Sequence, residues 1–179
     1  MNYYRKPWSG WKDGGNDLAI ATFWQNQTFS TSSDPVVDRR SYARIWLGSD
    51  PAGNWQYSLG YGKHYTSDAD GSLHYGYNTI TNETYVNYYW TKPTNSNNND
   101  ICPGDSGGPT GYWHDGLFAI HGINSASYCG KTSASTGQPL WGSLFHRAAY
   151  HSAWIGGLVG SCRYINLYSS QATVMQCFP

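Results

Sequence analysis

Eight consecutive residues, Cys102-Pro103-Gly104-Asp105-Ser106-Gly107-Gly108-Pro109, set a serine between an aspartate and two glycines, with a third glycine two positions upstream. A serine hydroxyl is a weak nucleophile until a base takes its proton and something stabilises the oxyanion it creates. The glycines suit the second task. Lacking Cβ atoms, they reach backbone conformations closed to other residues and let a carbonyl substrate approach the main chain. The backbone N–H groups of Gly104 and Ser106 can then point at one oxygen. The plain alternative is a Gly-rich hairpin turn of the kind any β protein carries.

Gly104 to Pro109 resembles the nucleophile motif of the chymotrypsin/trypsin family of serine proteases. That family supplies the general template for a Ser-His-Asp triad, so the roles that follow are implied by the resemblance. Ser106 is the nucleophile, the N–H groups of Gly104 and Ser106 form the oxyanion hole, and Asp105 holds the loop in its active shape. Asp17, which opens the apolar run Asp17-Leu18-Ala19-Ile20-Ala21-Thr22-Phe23, resembles the triad aspartate and stands at close to the family's usual separation from Ser106. Taken alone, an aspartate at a strand start is a turn residue.

The same resemblance outlines a substrate pocket. Asp100, six positions before Ser106, falls at its bottom, as in members that cut after Arg or Lys. The physics agrees, because a carboxylate in a narrow apolar slot is costly to desolvate unless a cation joins it. His121 is similar to the histidine with which glutamate-specific bacterial members hold an acidic side chain. Asn124 and Ser143 stand about where trypsin-like members have glycine, which narrows the slot. An ionised Asp100 repels an incoming Glu at short range, so basic residues are expected over acidic or small ones. The plain reading of His121 is a strand histidine satisfied by a neighbour such as Asp100.

The triad also needs a base. In the family a histidine lies well upstream of the aspartate in an Ala-Ala-His-Cys-like block. The six histidines, His64, His74, His114, His121, His146 and His151, all follow Asp17, and none has that surrounding. His64 and His74 read as surface residues at strand ends, His114 as a turn residue, and His146 and His151 as helix residues. The resemblance therefore covers residues 1–155 as the later two-thirds of a family domain. It implies a truncated chain, inactive by itself, with the missing upstream segment as a candidate partner chain. The competing readings are a non-catalytic protease-like binding or regulatory module, and an aromatic-rich carbohydrate-binding domain.

Composition fits this class. The 179 residues carry a formal net charge of zero and only 12% charged side chains. Nothing in that balance favours nucleic acid or an anionic membrane. Gly, Ser, Thr, Asn and Tyr abound, which favours short strands and turns over helices. The four cysteines, Cys102, Cys129, Cys162 and Cys177, lack metal-ligand spacing, so neither a metal nor another cofactor is expected. An even count reads as two disulfides in a secreted protein. The resemblance pairs Cys102 with Cys129 across the pocket walls, and position pairs Cys162 with Cys177. Pairing across the domain stays open.

The elements that must carry these residues are strands. Apolar and aromatic runs recur at 55–61, 73–80, 84–90, 109–113, 117–123 and 142–145, separated by turn-rich gaps. Gly60-Tyr61-Gly62 resembles the Gly-Trp-Gly that ends the second barrel's first strand in relatives. Residues 1–16 read as loop, 24–54 as a connector and 146–155 as a short helix. Asn26 and Asn82 open matches to the N-glycosylation triplet, a short and common pattern. The expected fold is all-β, a chymotrypsin-like double β-barrel. Residues 1–47 form the remnant of the first barrel and the inter-barrel connector. Residues 48–155 form a complete second barrel with the nucleophile loop and C-terminal helix, and residues 156–179 form a disulfide-closed extension.

Overall fold

The computed structural model describes residues 2–5, 18–22, 44–48, 55–63, 68–84, 87–92, 100–114, 117–138, 140–167 and 172–178. Eleven strands are among them. Asn2–Arg5 (β1) and Ala19–Thr22 (β2) form a two-stranded antiparallel sheet. The other nine, Arg44–Trp46 (β3), Trp55–Gly60 (β4), His74–Thr84 (β5), Tyr88–Lys92 (β6), Pro109–His114 (β7), Leu117–Ser127 (β8), Ser143–Arg147 (β9), Ser161–Leu167 (β10) and Ala172–Phe178 (β11), share one sheet. Six of them close on themselves. β4 pairs with β5, β5 with β6, β6 with β9, β9 with β8, β8 with β7, and β7 with β4 again. Closure removes the edges that an open sheet would leave unpaired. The fold is all-β, with a closed six-stranded barrel at its centre.

Alternation along the strands places the barrel interior. On β4, Gln56 and Ser58 are buried while Trp55 is exposed and Tyr57 half-buried. Ile80, Tyr89, Ile101 and Phe145 form the apolar part of the core, with the Tyr89 and Phe145 rings stacked at 5.4 Å. Some of the polar side chains inside are paired with one another. Tyr89 Oη donates to Gln56 Oε1 at 2.8 Å, and the Ser58 and Thr110 hydroxyls share a bond at 3.0 Å. Such pairing is what makes a buried hydroxyl or carboxamide tolerable. Outside, Trp55, Tyr57, Tyr77 and Tyr112 make cross-strand ring contacts at 5.7 to 6.3 Å, mostly tilted or edge-on. They strengthen the sheet and lack the shared plane expected of a sugar-stacking platform.

Several elements differ from the sequence reading. Residues 2–5, read as loop, are strand β1, which takes its hydrogen bonds from β2. The connector contains β3, three residues long, which runs parallel to β8 and antiparallel to β11. A strand that short has no periodicity to read and is held by its partners on both sides. The helix starts later than residue 146. Leu144, Phe145 and His146 are all buried in β9, which is paired on both flanks, so their run has no alternation. A 3-10 turn at Ala149–His151 then leads into the helix Ser152–Val159 (α1). Asn26 lies outside the described residues.

The C-terminal extension is a hairpin. In the β10–β11 register Cys162 faces Cys177, and the two are joined by a disulfide. Through β3 this hairpin is added to β8, and Leu167 and Val174 pack on Trp46 and Ala119. The disulfide closes a loop with a sequence separation of 15. By chain entropy such a closure contributes about 3 kcal/mol. Replacing Cys162 and Cys177 together by Ser is therefore expected to cost about 3 kcal/mol in urea unfolding of the region reported by Trp46 fluorescence. A loss below about 0.5 kcal/mol would mean that the Trp46–Val174 packing holds the hairpin alone.

Candidate active site

Ser106 sits in the turn between Asp100 and β7, and it is exposed. Two glycines give this loop its shape. Gly104 has φ +102 and Gly107 φ +84, a region side chains rarely enter. A Cβ on Gly104 would also stand 2.9 Å from the Gly62 Cα. The Ser106 Oγ makes one long contact, 3.5 Å to the Ser125 carbonyl oxygen. Among the described residues nothing accepts a hydrogen bond from the N–H of Gly104 or of Ser106.

Asp105 anchors the loop. Its Oδ1 accepts from the Gly62 N–H at 2.7 Å and its Oδ2 from the Cys102 N–H at 2.8 Å. Its own N–H donates to the Cys102 carbonyl at 3.0 Å. Gly60 and Gly62 make room for this carboxylate: a Cβ on Gly60 would lie 1.8 Å from Asp105 Oδ1, and one on Gly62 2.6 Å from the same oxygen. The Gly60-Tyr61-Gly62 pattern was visible in the sequence, but its reason lies more than forty residues downstream.

Residues 100–102 are held between the ends of β8 and β9. The Asp100 carboxylate accepts from the Gly142 N–H, at 2.9 Å to Oδ2, and from Ser143 Oγ at 3.1 Å. Ser143 Oγ accepts in turn from the Ile101 N–H at 3.1 Å, and Ser127 Oγ donates to the Ile101 carbonyl. A disulfide links Cys102 to Cys129. Burial pushes the Asp100 carboxyl above the usual carboxylate value, against the pull of the Gly142 and Ser143 donors.

Asn124 is buried and its carboxamide is bonded inside the protein, to Leu59 O and Asp105 O, both at 3.1 Å. His121 is buried as well, and its neighbour is His114, not Asp100: the two Nε2 atoms are 3.2 Å apart. Trp46 stacks over both rings, at 4.1 Å from His114 and 5.0 Å from His121. His114 is thus the last residue of β7 and part of a stacked trio, where the sequence suggested a free turn residue. His146 is a buried residue of β9, not of the helix; His151 is buried in the 3-10 turn, and His74 pairs with Asp70 at 3.0 Å. Asp17 and His64 lie outside the described residues. Among the described residues no group of three or more His, Cys, Asp or Glu could hold a metal ion. No helix there is long and apolar enough to cross a membrane.

The arrangement is an exposed hydroxyl beside two unengaged backbone N–H groups, on a loop fixed from several sides, next to a half-buried carboxylate. Comparison with known proteins gives the chain's family. The family model described as Trypsin matches residues 3–155. Among solved structures, neuropsin, a serine protease expressed in the limbic system of mouse brain, is 18% identical with a TM-score of 0.50, over 68% of this chain and 55% of its own. The structure of HBP is 19% identical with a TM-score of 0.49, over 66% of this chain and 50% of its own. The chain thus spans about half the length of these two structures. No curated protein matches the chain in sequence.

Proposed function

This chain belongs to the trypsin family, and from that membership we propose that it is the nucleophile-bearing part of a secreted serine endopeptidase. Ser106 attacks the scissile carbonyl and becomes acylated. The N–H groups of Gly104 and Ser106 receive the oxyanion, Asp105 supports their loop, and water then releases the acyl group. The observation that carries the reading is the pair of unengaged N–H groups flanking an exposed Ser106 Oγ. Asp17 is the residue that orients the base. The base itself comes from a segment or chain carrying the family's histidine block, since no described histidine is bonded to Ser106 Oγ. The two disulfides support an extracellular site of action. That no described histidine is bonded to Ser106 Oγ is also what favours the rival reading, a protease-fold binding module.

Asp100 sets the substrate class. Its carboxylate is half-buried and bonded to Gly142 and Ser143 on one side. A substrate Arg or Lys supplies the countercharge that burial withholds. Asn124 and Ser143 act on the slot through their bonds to the framework rather than by touching the substrate, and His121 is bonded to His114 instead.

The test joins the chain, in cis or as a second chain, to a segment bearing an Ala-Ala-His-Cys-like block. Matched peptides ending in Arg, Lys, Glu, Ala and Phe are then compared by kcat/KM. Arg and Lys are expected to be cut best, and Asp100→Ser to remove that preference by about two orders of magnitude. Preferred cleavage after Glu, or an Arg preference that survives Asp100→Ser, would overturn the pocket assignment. The pH dependence has a definite sign. Because Asp100 titrates above the usual carboxylate value, KM for Arg substrates should begin to rise, as pH falls, at a higher pH than for an ordinary carboxylate. The same shift means Asp100 favours the folded state most at low pH, and this contribution is lost as pH rises through its raised pKa.

A further inference from the structure

We propose that Asn124 is a positioning residue that aims the oxyanion-hole N–H of Ser106. The proposal rests on the serine protease reading above, and it gives Asn124 a task other than lining the slot. This one residue of β8 makes four hydrogen bonds, three with the nucleophile loop and one with Leu59 of β4. Its carbonyl accepts from the Gly107 N–H at 2.8 Å, and its N–H donates to the Gly108 carbonyl at 2.9 Å. Its Nδ2 donates to Asp105 O and to Leu59 O, each at 3.1 Å. The side chain is only 2% exposed, so these bonds do not compete with bulk water.

The bond to Asp105 O is the one with chemical consequences. A peptide unit is planar and trans, so its C=O and N–H point in opposite directions. Whatever holds the Asp105 carbonyl inward therefore turns the Ser106 N–H outward. Two donors hold it: the Gly108 N–H at 3.0 Å and the Asn124 carboxamide. The other hole donor is aimed in the same way. The Pro103 carbonyl accepts from the Lys63 N–H at 2.9 Å, which turns the Gly104 N–H outward. The two N–H groups are thus fixed through the carbonyls on their far sides. For Gly104 the partner is main chain, and for Ser106 part of the hold is a side chain that can be changed.

The carboxamide cannot be reversed to weaken this reading. A flipped Asn124 would set its Oδ1 against two carbonyl oxygens, and the orientation observed leaves Oδ1 buried without a partner instead. Tolerating an unpaired buried oxygen in order to place both N–H bonds shows where the side chain's stabilisation lies. Gly108 completes the fit, since a Cβ there would stand 3.0 Å from Asn124 Nδ2 and 2.5 Å from Leu59 O.

The experiment uses the full chain, labelled with 15N, as wild type, Asn124→Asp, Asn124→Ser and Asn124→Ala. Asn124→Asp keeps the shape and removes the donors, and Asn124→Ser keeps one hydroxyl donor. The amide resonances of Gly104 and Ser106 are followed by NMR, and thermal melting checks the fold. Ser106 N–H is expected to shift in Asn124→Asp and Asn124→Ala while Gly104 N–H, held through Lys63, moves far less. With the base-bearing segment added, kcat for peptide cleavage is expected to fall by about ten- to a hundred-fold, less than the loss of a whole oxyanion donor, with KM changed less than about threefold. Asn124→Ser should fall between wild type and Asn124→Ala. A general loosening of structure would raise KM and move both amides together, and that result overturns the proposal. So does an unmoved Ser106 amide in folded Asn124→Asp. If wild type itself shows no cleavage with the base supplied, the protease reading fails, and the two amide shifts still decide whether Asn124 aims the Ser106 N–H.

Discussion

The 179-residue chain alone is expected to react with a fluorophosphonate probe no faster than its Ser106→Ala variant. Without a base bonded to it among the described residues, the Ser106 hydroxyl keeps a proton it does not give up near neutral pH. In serine proteases generally, removing the base costs about 10⁶-fold in turnover, and the residual 10³- to 10⁴-fold over water comes from the oxyanion hole and substrate binding. None of the described histidines is placed to fill the gap. His74 is bonded to Asp70, and His114 and His121 are bonded to each other beneath Trp46. His146 and His151 are buried, with at most 2% of their surface exposed. Supplying the segment with the family's histidine, in cis or as a second chain, is expected to restore labelling at Ser106, located by mass spectrometry of the modified peptide. Ser106→Ala then abolishes it. Rapid labelling of the chain alone would show that a histidine of its own, His64 included, serves as the base. Absence of labelling after the histidine segment has docked would favour the binding-module reading.

Much of this site was legible because the family motif is local. Gly104 to Pro109 is contiguous, and the strands around it read as apolar and aromatic runs, so all six barrel strands overlap the runs seen in the sequence. The elements that escaped are those defined by partners. β3 is three residues of an otherwise Ser- and Asp-rich stretch and exists because β8 and β11 flank it. His146 looked helical next to Ala148 and Ala149, but pairing with β6 and β8 draws it into β9. Side-chain roles were harder still. Alignment by position put Asn124 and Ser143 at the slot because relatives have glycine there. Position carries no information about direction, and both side chains are bonded into the framework, to Asp105 O and Leu59 O in one case and to Asp100 and Ile101 in the other. His121 found its neighbour in His114, seven residues earlier on the facing strand of a hairpin, with Trp46 of β3 stacked on both rings, a grouping of three strands that no local pattern reveals.

Gly60→Ala is expected to dismantle the nucleophile loop from a distance. The added Cβ would lie 1.8 Å from Asp105 Oδ1, 2.5 Å from Cγ and 2.9 Å from Cβ, so the whole carboxylate must move rather than one flexible tip. Moving it breaks the bonds from the Gly62 and Cys102 N–H groups, and Cys102 is buried. Each N–H left without a partner costs about 1–3 kcal/mol when water cannot replace the carboxylate. The fold is therefore expected to lose about 3 kcal/mol in urea unfolding. In the enzyme with its base supplied, kcat should fall by about 10² or more, because both hole donors belong to the loop that Asp105 anchors. Gly71→Ala is the control. Gly71 has φ +80 but nothing within 4 Å of its Cβ position, so the substitution meets strain without collision. Its cost should be about 1 kcal/mol, with labelling at Ser106 unchanged. Asp105→Asn separates space from charge. The carboxamide fits the same cradle, but its NH₂ must face one of two N–H donors, so it should lose one bond and fall between Gly71→Ala and Gly60→Ala in both readouts. Wild-type labelling in Gly60→Ala would show that the loop keeps its shape without the Asp105 anchor, and would leave the bonds from Asn124 as its main support.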